Sequence, residues 1–304
     1  MGGLNWPAET ARPATRDTPR FIQRCSNISL DFHGDPVRAK LVVFSDGNHH
    51  MALQEVLLAF VQANPEVDDV FYTTTPPSVA LQMLCAGCLD LGNLRLTISP
   101  NVFIGPPAVL DRLVAEGRMH SHQAFASGRG IALLVRKGNP RRITGVESLS
   151  RADVRLFISN PDSEKVSHGI YVNCLRRLAS QQGVAADHLA LSPGRTDACQ
   201  IIYGEAIHHR EAPQAIADGH ADTAVVFYHL ALRYQRIFPD VFEFVPLRDP
   251  SGAPCDTGST HCGLVDGGGE WGARLCQFLL GETTAKIYDK HGLDPATTTQ
   301  PPAP

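Results

Sequence analysis

An α/β fold in two lobes is what this sequence predicts, on three observations. Short β-type apolar runs alternate with helical patterns between residues 40 and 293. The chain has 304 residues, and a single core stops growing at roughly 250–300. A composition that is 43% hydrophobic and 19% charged supports packed cores and excludes disorder. Alternation of this kind implies that each lobe is a mainly parallel sheet flanked by helices.

Residues 40–44 (KLVVF) are a buried-strand run. Behind it Leu53, Val56, Leu57, Phe60 and Val61 recur at the spacing of one helix face, and Asn64-Pro65 stops that helix. Residues 70–73 read as the next strand. Pro76 and Pro77 suit a first helical turn, where a missing N–H costs nothing, and Ala80, Leu81 and Leu84 continue that helix. A strand at 102–105 leads into a helix over 107–116. Strands follow at 131–135 and 154–158, then a helix marked by Ile170, Cys174, Leu175 and Leu178. A helical stretch at 212–218 precedes strands at 224–227 and 242–245. One last helix carries Leu275, Phe278, Leu279 and Ile287, and closes at His291-Gly292 with glycine just past the cap.

Residues 1–36 read as an irregular lead-in and 294–304 as a disordered tail. The first lobe is expected to be 37–127 plus 248–293, with the second, 128–247, inserted into it. Strands near 131–135 and 242–245 would pass between the lobes as a hinge. A net charge of −4 argues against a nucleic-acid partner, and a monomer is expected. No apolar run approaches the ~18–20 residues of a membrane span. No apolar block follows a basic start within 1–36, so no cleavable export signal is visible and a cytoplasmic protein stays open.

Eight cysteines make an even number, but a chain this long needs no disulfide staples. Cys85-Ala86-Gly87-Cys88 is a lone CxxC without a second pair, weak as a metal knuckle and compatible with a plain helix end. Cys255 and Cys262 lie in a Gly/Ser/Thr loop and would pair locally in an exported protein.

The turns that follow the strands are polar: Ser45-Asp46-Gly47-Asn48-His49-His50, Thr73-Thr74-Thr75, and Ser159-Asn160 on to Ser167-His168-Gly169. His208-His209-Arg210 stands before the helical stretch at 212–218, and Tyr228-His229 follows Phe227. Hydroxyls, amides and helix-start N–H groups are what a tetrahedral anion needs, since they donate without a full countercharge. The alternative is that these side chains are ordinary helix N-caps.

In this order the turns resemble those of class II periplasmic solute-binding proteins, most closely the molybdate/tungstate-binding type. The resemblance runs through KLVVFSDGNHHMALQEVLLAF (40–60) and FYTTTPPSVALQML (71–84). It is closest at PDSEKVSHGIYVNCLRRL (161–178), set against a family motif DPxxxPxGxYA. AVVFYHLAL (224–232) and FLLGETTAKIYDKHGL (278–293) complete it. It implies a two-lobed binding protein, periplasmic, that clamps a molybdate- or tungstate-like oxyanion between its lobes for an ABC-transporter permease or for sensing. Position by position, the resemblance puts the first-turn donor at Asn48 with Ser45 nearby, and the second among Thr73, Thr74 and Thr75. Backbone donors fall at His168 and near Arg210, and the pocket tyrosine is Tyr228. Asp46, His168, His209, the Arg210 guanidinium and an insertion at 89–100 depart from the family pattern.

Thirteen histidines support a rival reading, a zinc, copper or iron site drawn from Asp46, His49, His168 and His209. His120, His122, His188 and His291 read as surface residues. An enzyme is not expected, and neither is a cofactor: GxSxG, HExxH and GxxxxGK[ST] are all absent. Gly267-Gly268-Gly269 reads as a flexible turn.

Overall fold

The computed structural model of the chain describes residues 20–22, 29–91, 94–184, 200–205 and 207–296. They form two compact units: a split unit of 29–127 and 258–296 with the strand at 20–22, and an inserted unit within Gly128–Thr257. The split unit opens with β1 (Arg20–Ile22), β2 (Ser29–His33), β3 (Leu41–Ser45), α1 (His50–Ala63), β4 (Val70–Thr74) and α2 (Pro77–Ala86). Then come β5 (Leu89–Leu91), β6 (Leu94–Leu96), β7 (Val102–Gly105), α3 (Pro107–Ala115) and β8 (Met119–Gly128). The inserted unit contains β9 (Ile131–Arg136), β10 (Arg155–Ile158), α4 (Lys165–Gln181), β11 (Gln200–Tyr203) and α5 (His208–Ala217). It ends with β12 (Thr223–Phe227), α6 (Tyr228–Ile237) and β13 (Phe242–Pro246). The chain returns to the split unit for β14 (Ser259–Val265), α7 (Gly269–Leu279), α8 (Glu282–Lys290) and β15 (Leu293–Pro295).

The split unit's sheet has the order β1-β2-β4-β3-β7-β14-β8-β15, and the inserted unit's β11-β10-β12-β9-β13. Both sheets are mixed. The trio β4-β3-β7 is parallel, as is β11-β10-β12, while β2, β14, β9 and β13 run antiparallel to their neighbours. Period-two alternation sends Leu41, Val43 and Ile104 into a core under α1, α7 and α8. Val42, Phe44 and Phe103 face the opposite core, under α2 and α3. The inserted unit packs α4 over Leu133, Leu156 and Val225. Each parallel trio therefore carries helices behind its carboxyl ends, the end where α/β folds place their ligands.

Several expectations need correction. Strands β9 and β13 do not pass between units; both lie inside the inserted sheet, and the chain changes unit at Ser127/Gly128 and Thr257/Gly258. The last helix is two helices, broken at Leu280-Gly281. Strands β1 and β2 occupy part of the stretch expected to be irregular, and β15 reaches into the start of the expected tail, the rest of which lies outside the described residues. Gly267-Gly268-Gly269 is a packed junction. A Cβ on Gly268 would stand 2.6 Å from Leu264 Cδ2 and 2.8 Å from Asn101 O, at a φ of +63°. Cys255 bonds to Cys174, not to Cys262, because Leu247–Cys255 packing brings it beneath α4, with the Cα atoms 6.1 Å apart. Cys85 and Cys88 are free thiols at the αL-capped end of α2, as a plain helix end.

Candidate functional site

In the split unit three parallel strands end side by side. Ser45 is in register with Thr74 and with Ile104. The Thr75 N–H donates to Ser45 O at 3.0 Å and the Asp46 N–H to Ile104 O at 3.3 Å, so the first turn is laid across both neighbours. A Cβ on Gly47 would stand 3.1 Å from Thr74 O, which is why the approach needs a glycine. The helices that follow, α1, α2 and α3, have His49, Pro76 and Pro106 at their N-caps, and none of the three has a side-chain cap.

The side chains in these turns divide in two. Ser45 and His49 are committed to an internal chain. The Ser45 hydroxyl donates to Asp46 O at 3.1 Å, so Ser45 Oγ accepts from His49 Nε2–H (3.3 Å). His49 Nδ1 is then the acceptor for the Tyr288 hydroxyl at 2.7 Å, a partner 239 residues away. Burial, with His50 a smaller contributor, presses the His49 imidazole down to about 3, so its 3.6 Å approach to Asp46 Oδ1 is no ion pair at neutral pH. Asp46 is raised to about 6 by its own burial, against the Asn48 N–H that donates to it at 3.0 Å. Thr73 and Thr75 behave differently. Both are fully buried, and neither Oγ1 has a hydrogen-bond partner among the described residues. An unmade bond of that kind costs about 1–3 kcal/mol, so these hydroxyls are poised for something polar. Thr74 faces the other way, with its Oγ1 3.4 Å from His33 Nε2. Asn48 is exposed.

The inserted unit repeats the plan. Strands β10, β11 and β12 run into α4, α5 and α6, whose N-caps Glu164, Ile207 and Phe227 again have no side-chain cap. None of these N-cap residues caps through its own side chain, although the Glu164 and Glu211 carboxylates accept the His208 and Ile207 N–H groups at the start of α5. Ser159 is fully buried with its Oγ unpartnered among the described residues, and its carbonyl accepts from His168 Nδ1 at 2.7 Å. Three residues expected just before helices are inside them. His168 lies in the first turn of α4, and its N–H goes to Glu164 O at 2.9 Å. Arg210 lies in the first turn of α5, with its N–H on Ile207 O at 3.0 Å. The backbone donors expected at both positions are thus spent on helix closure, and any ligand contact falls to the side chains. Arg210 is exposed at the positive end of its helix, a position where the dipole favours acids. Tyr228 starts α6; its N–H donates to Gly130 O at 2.9 Å and its ring meets Phe244 edge-on at 5.3 Å.

Sequence reasoning missed Ser159, Glu164, His208 and Tyr288 as site residues. The first three stand in turns already marked as polar, so their signal was present. His208 stacks on Phe157 at 5.6 Å, its Nε2 is unpartnered among the described residues, and burial drives it down to about 3. Glu164 Oε2 accepts the His208 N–H at 3.1 Å and is raised to about 7, chiefly by burial. Tyr288 carries no local signal, because only the tertiary fold brings it to His49.

Among the described residues, no three His, Cys, Asp or Glu side chains come together as a group that could hold a metal ion. Of the rival set, Asp46 and His49 belong to the split unit, with both His49 nitrogens engaged, and His168 and His209 to the inserted one. Two expected surface histidines are partnered instead: His122 lies 2.8 Å from His261 and 3.0 Å from Asp111, and His291 bonds Glu55 at 2.8 Å. His120 is exposed, and His188 lies outside the described residues.

Two mixed sheets that each deliver polar turns beyond a parallel trio define the fold of the periplasmic binding proteins. The sequence matches the profile of the bacterial extracellular solute-binding proteins over residues 41–294, and the chain belongs to that family. It is a solute-binding protein, not an enzyme. Among the described residues no helix is long and apolar enough to cross a membrane. Solved structures share the fold at low identity. The sulfate-binding protein SubI of Mycobacterium tuberculosis is 15% identical, with a TM-score of 0.59 over 85% of this chain and 87% of that one. The periplasmic molybdate-binding protein of Azotobacter vinelandii is 14% identical, with a TM-score of 0.54 over 84% and 98%. Iron-bound HitA of Pseudomonas aeruginosa is 14% identical, with a TM-score of 0.59 over 86% and 89%. No curated protein sequence matches. The fold alone does not choose a ligand, since these three structures carry names of different solutes.

Proposed function

We propose that the protein binds a small tetrahedral oxyanion, of molybdate or tungstate type, and hands it to an ABC-type permease in the periplasm. The observation that carries this reading is the set of buried hydroxyls without partners among the described residues, Thr73 and Thr75 in one unit and Ser159 in the other, beside helix starts whose N-cap side chains do not cap. Such groups donate to an anion without bringing a countercharge. In this reading Asn48, Thr73 and Thr75 donate from the split unit, Thr74 being turned towards His33, and Arg210, Tyr228 and His168 donate from the inserted unit. Contacts made only when both sets engage drive closure around the ligand. Ser45 joins only if its hydroxyl turns away from Asp46 O. His168, with Nδ1 on Ser159 O, donates through Nε2 only as an imidazolium.

In this reading Arg210 supplies a guanidinium. A bond to a charged group contributes about 1.5–3 kcal/mol, so Arg210→Ala is expected to weaken molybdate binding by roughly tenfold to a hundredfold. Titration calorimetry on the wild type and the variant measures this. Unchanged molybdate affinity in the variant removes Arg210 from the site, and zinc binding lost with Arg210 intact in His168→Gln favours the metal reading.

A further inference from the structure

Four polar side chains of the split unit form a continuous chain that takes no part in the site above. Asp111 Oδ1 of α3 is 3.0 Å from His122 Nε2 on β8. His122 Nδ1 is 2.8 Å from His261 Nδ1 on β14, and His261 Nε2 is 2.9 Å from the Ser259 hydroxyl. The direction of each bond follows from the acidic end. A carboxylate only accepts, so His122 Nε2 carries a proton. A contact between two Nδ1 atoms needs one hydrogen between them. With His122 neutral, His261 supplies it, and His261 Nε2 is left to accept from the Ser259 O–H.

We propose that His122 and His261 are a one-proton clamp between β8 and β14, the strands by which the chain leaves the split unit and returns to it. With no added proton, a single hydrogen lies between the Nδ1 atoms and ties the rings. The first added proton enters at His261 Nε2, which then donates to Ser259 Oγ, so that bond reverses. One hydrogen still lies between the rings, and Asp111 is the countercharge. A second added proton puts hydrogen on both Nδ1 atoms. Two donors 2.8 Å apart repel, so the rings must part. The clamp stands where the backbone pairing is irregular: the β8–β14 ladder shifts register between Thr260 and His261 and again between Gly263 and Val265. Burial first, and then His122, disfavour charge on His261, while Asp111 favours it. Of the other neighbours, β7 presents Gly105 opposite His261, and Arg112 of α3 is paired with Glu116. His120, two residues along β8, is exposed, and Cys262 and Cys276 belong to the core under α7.

The test is long-range proton–nitrogen NMR of the imidazole rings in the full wild-type chain, assigned through the backbone, from pH 8 to pH 4. At pH 8 His122 is expected as the Nε2–H tautomer and His261 as the Nδ1–H tautomer. As pH falls, the signals of both rings are expected to move together through one midpoint. A second step follows at lower pH, with loss of the Nδ1–H signal shared between the rings. His261 found as the Nε2–H tautomer at pH 8 overturns the proposal, and so do two rings that titrate independently. In His122→Gln, His261 is expected to titrate in a single step; two steps persisting in that variant contradict the coupling.

Discussion

Acidification from about pH 6.5 towards pH 3 is expected to strip several kcal/mol of stability from the protein, because two buried imidazoles must then take up charge. His49 and His208 are each pressed down to about 3 by burial, one in each unit. In the unfolded chain they titrate near 6.5. A group whose folded value is depressed lends stability above its unfolded value and loses it as pH falls through the window between the two. A fall from about 6.5 to about 3 corresponds to roughly 4–5 kcal/mol per ring. One buried and one half-buried carboxyl oppose this. Asp46, raised to about 6, and Glu164, raised to about 7, favour the fold when protonated and lose that favour as pH rises through those values. Asp46 is worth roughly 3 kcal/mol on the same scale, and Glu164, partly in contact with solvent, less. The imidazoles outweigh the carboxyls, so the net effect of acid is loss. Urea denaturation at pH 8, 6 and 4 reads it directly. His49→Gln and His208→Gln are expected to flatten the acid limb, whereas Asp46→Asn raises stability at pH 8. An acid limb that neither histidine variant changes contradicts the assignment.

Opening the Cys174–Cys255 bond is expected to cost about 4.5 kcal/mol, almost entirely in the inserted unit. The two cysteines are 81 residues apart, and closing a loop of that length lowers the entropy of the unfolded chain by about that amount. The bond ties α4 to the segment after β13, the last stretch of the unit before the chain leaves it. The bonded sulfur of Cys255 also accepts from Arg177 at 3.0 Å. Cys174→Ser with Cys255→Ser, compared with wild type by denaturant titration, is expected to lower the midpoint of the inserted unit and leave the split unit's transition near its original place. Equal loss in both units would mean that they unfold as one.

Much of this architecture is legible along the chain, because apolar strands with period-two faces, such as 40–44 and 131–135, declare themselves locally. Strands β8 and β14 were not, for a physical reason. Met119–Gly128 is mostly polar because much of its surface is open, and Ser259–Val265 contains Gly263, a position where any Cβ would collide with Met119. The antiparallel strands β2, β8 and β14 lie outside the β-α rhythm, while β9 and β13 are legible as strands but nothing in their pattern gives their direction. The polar turns were visible as turns. Their roles were not, since Thr73 and Thr75 differ from Thr74 only by which way the strand faces them, and Tyr288 reaches His49 only through the fold. Placing His168 and Arg210 one turn too early came from treating helix starts as loops, a matter of boundaries rather than of pattern.

The most direct test of the central claim is the melting temperature of the purified protein with molybdate, tungstate, sulfate or phosphate, set beside zinc and copper. At about a hundred times its dissociation constant, a bound ligand stabilises by about 2.7 kcal/mol, a shift of several degrees. The account predicts that at least one oxyanion raises the melt by that much and that neither metal does. A shift with zinc or copper, and none with any of the four anions, would contradict it.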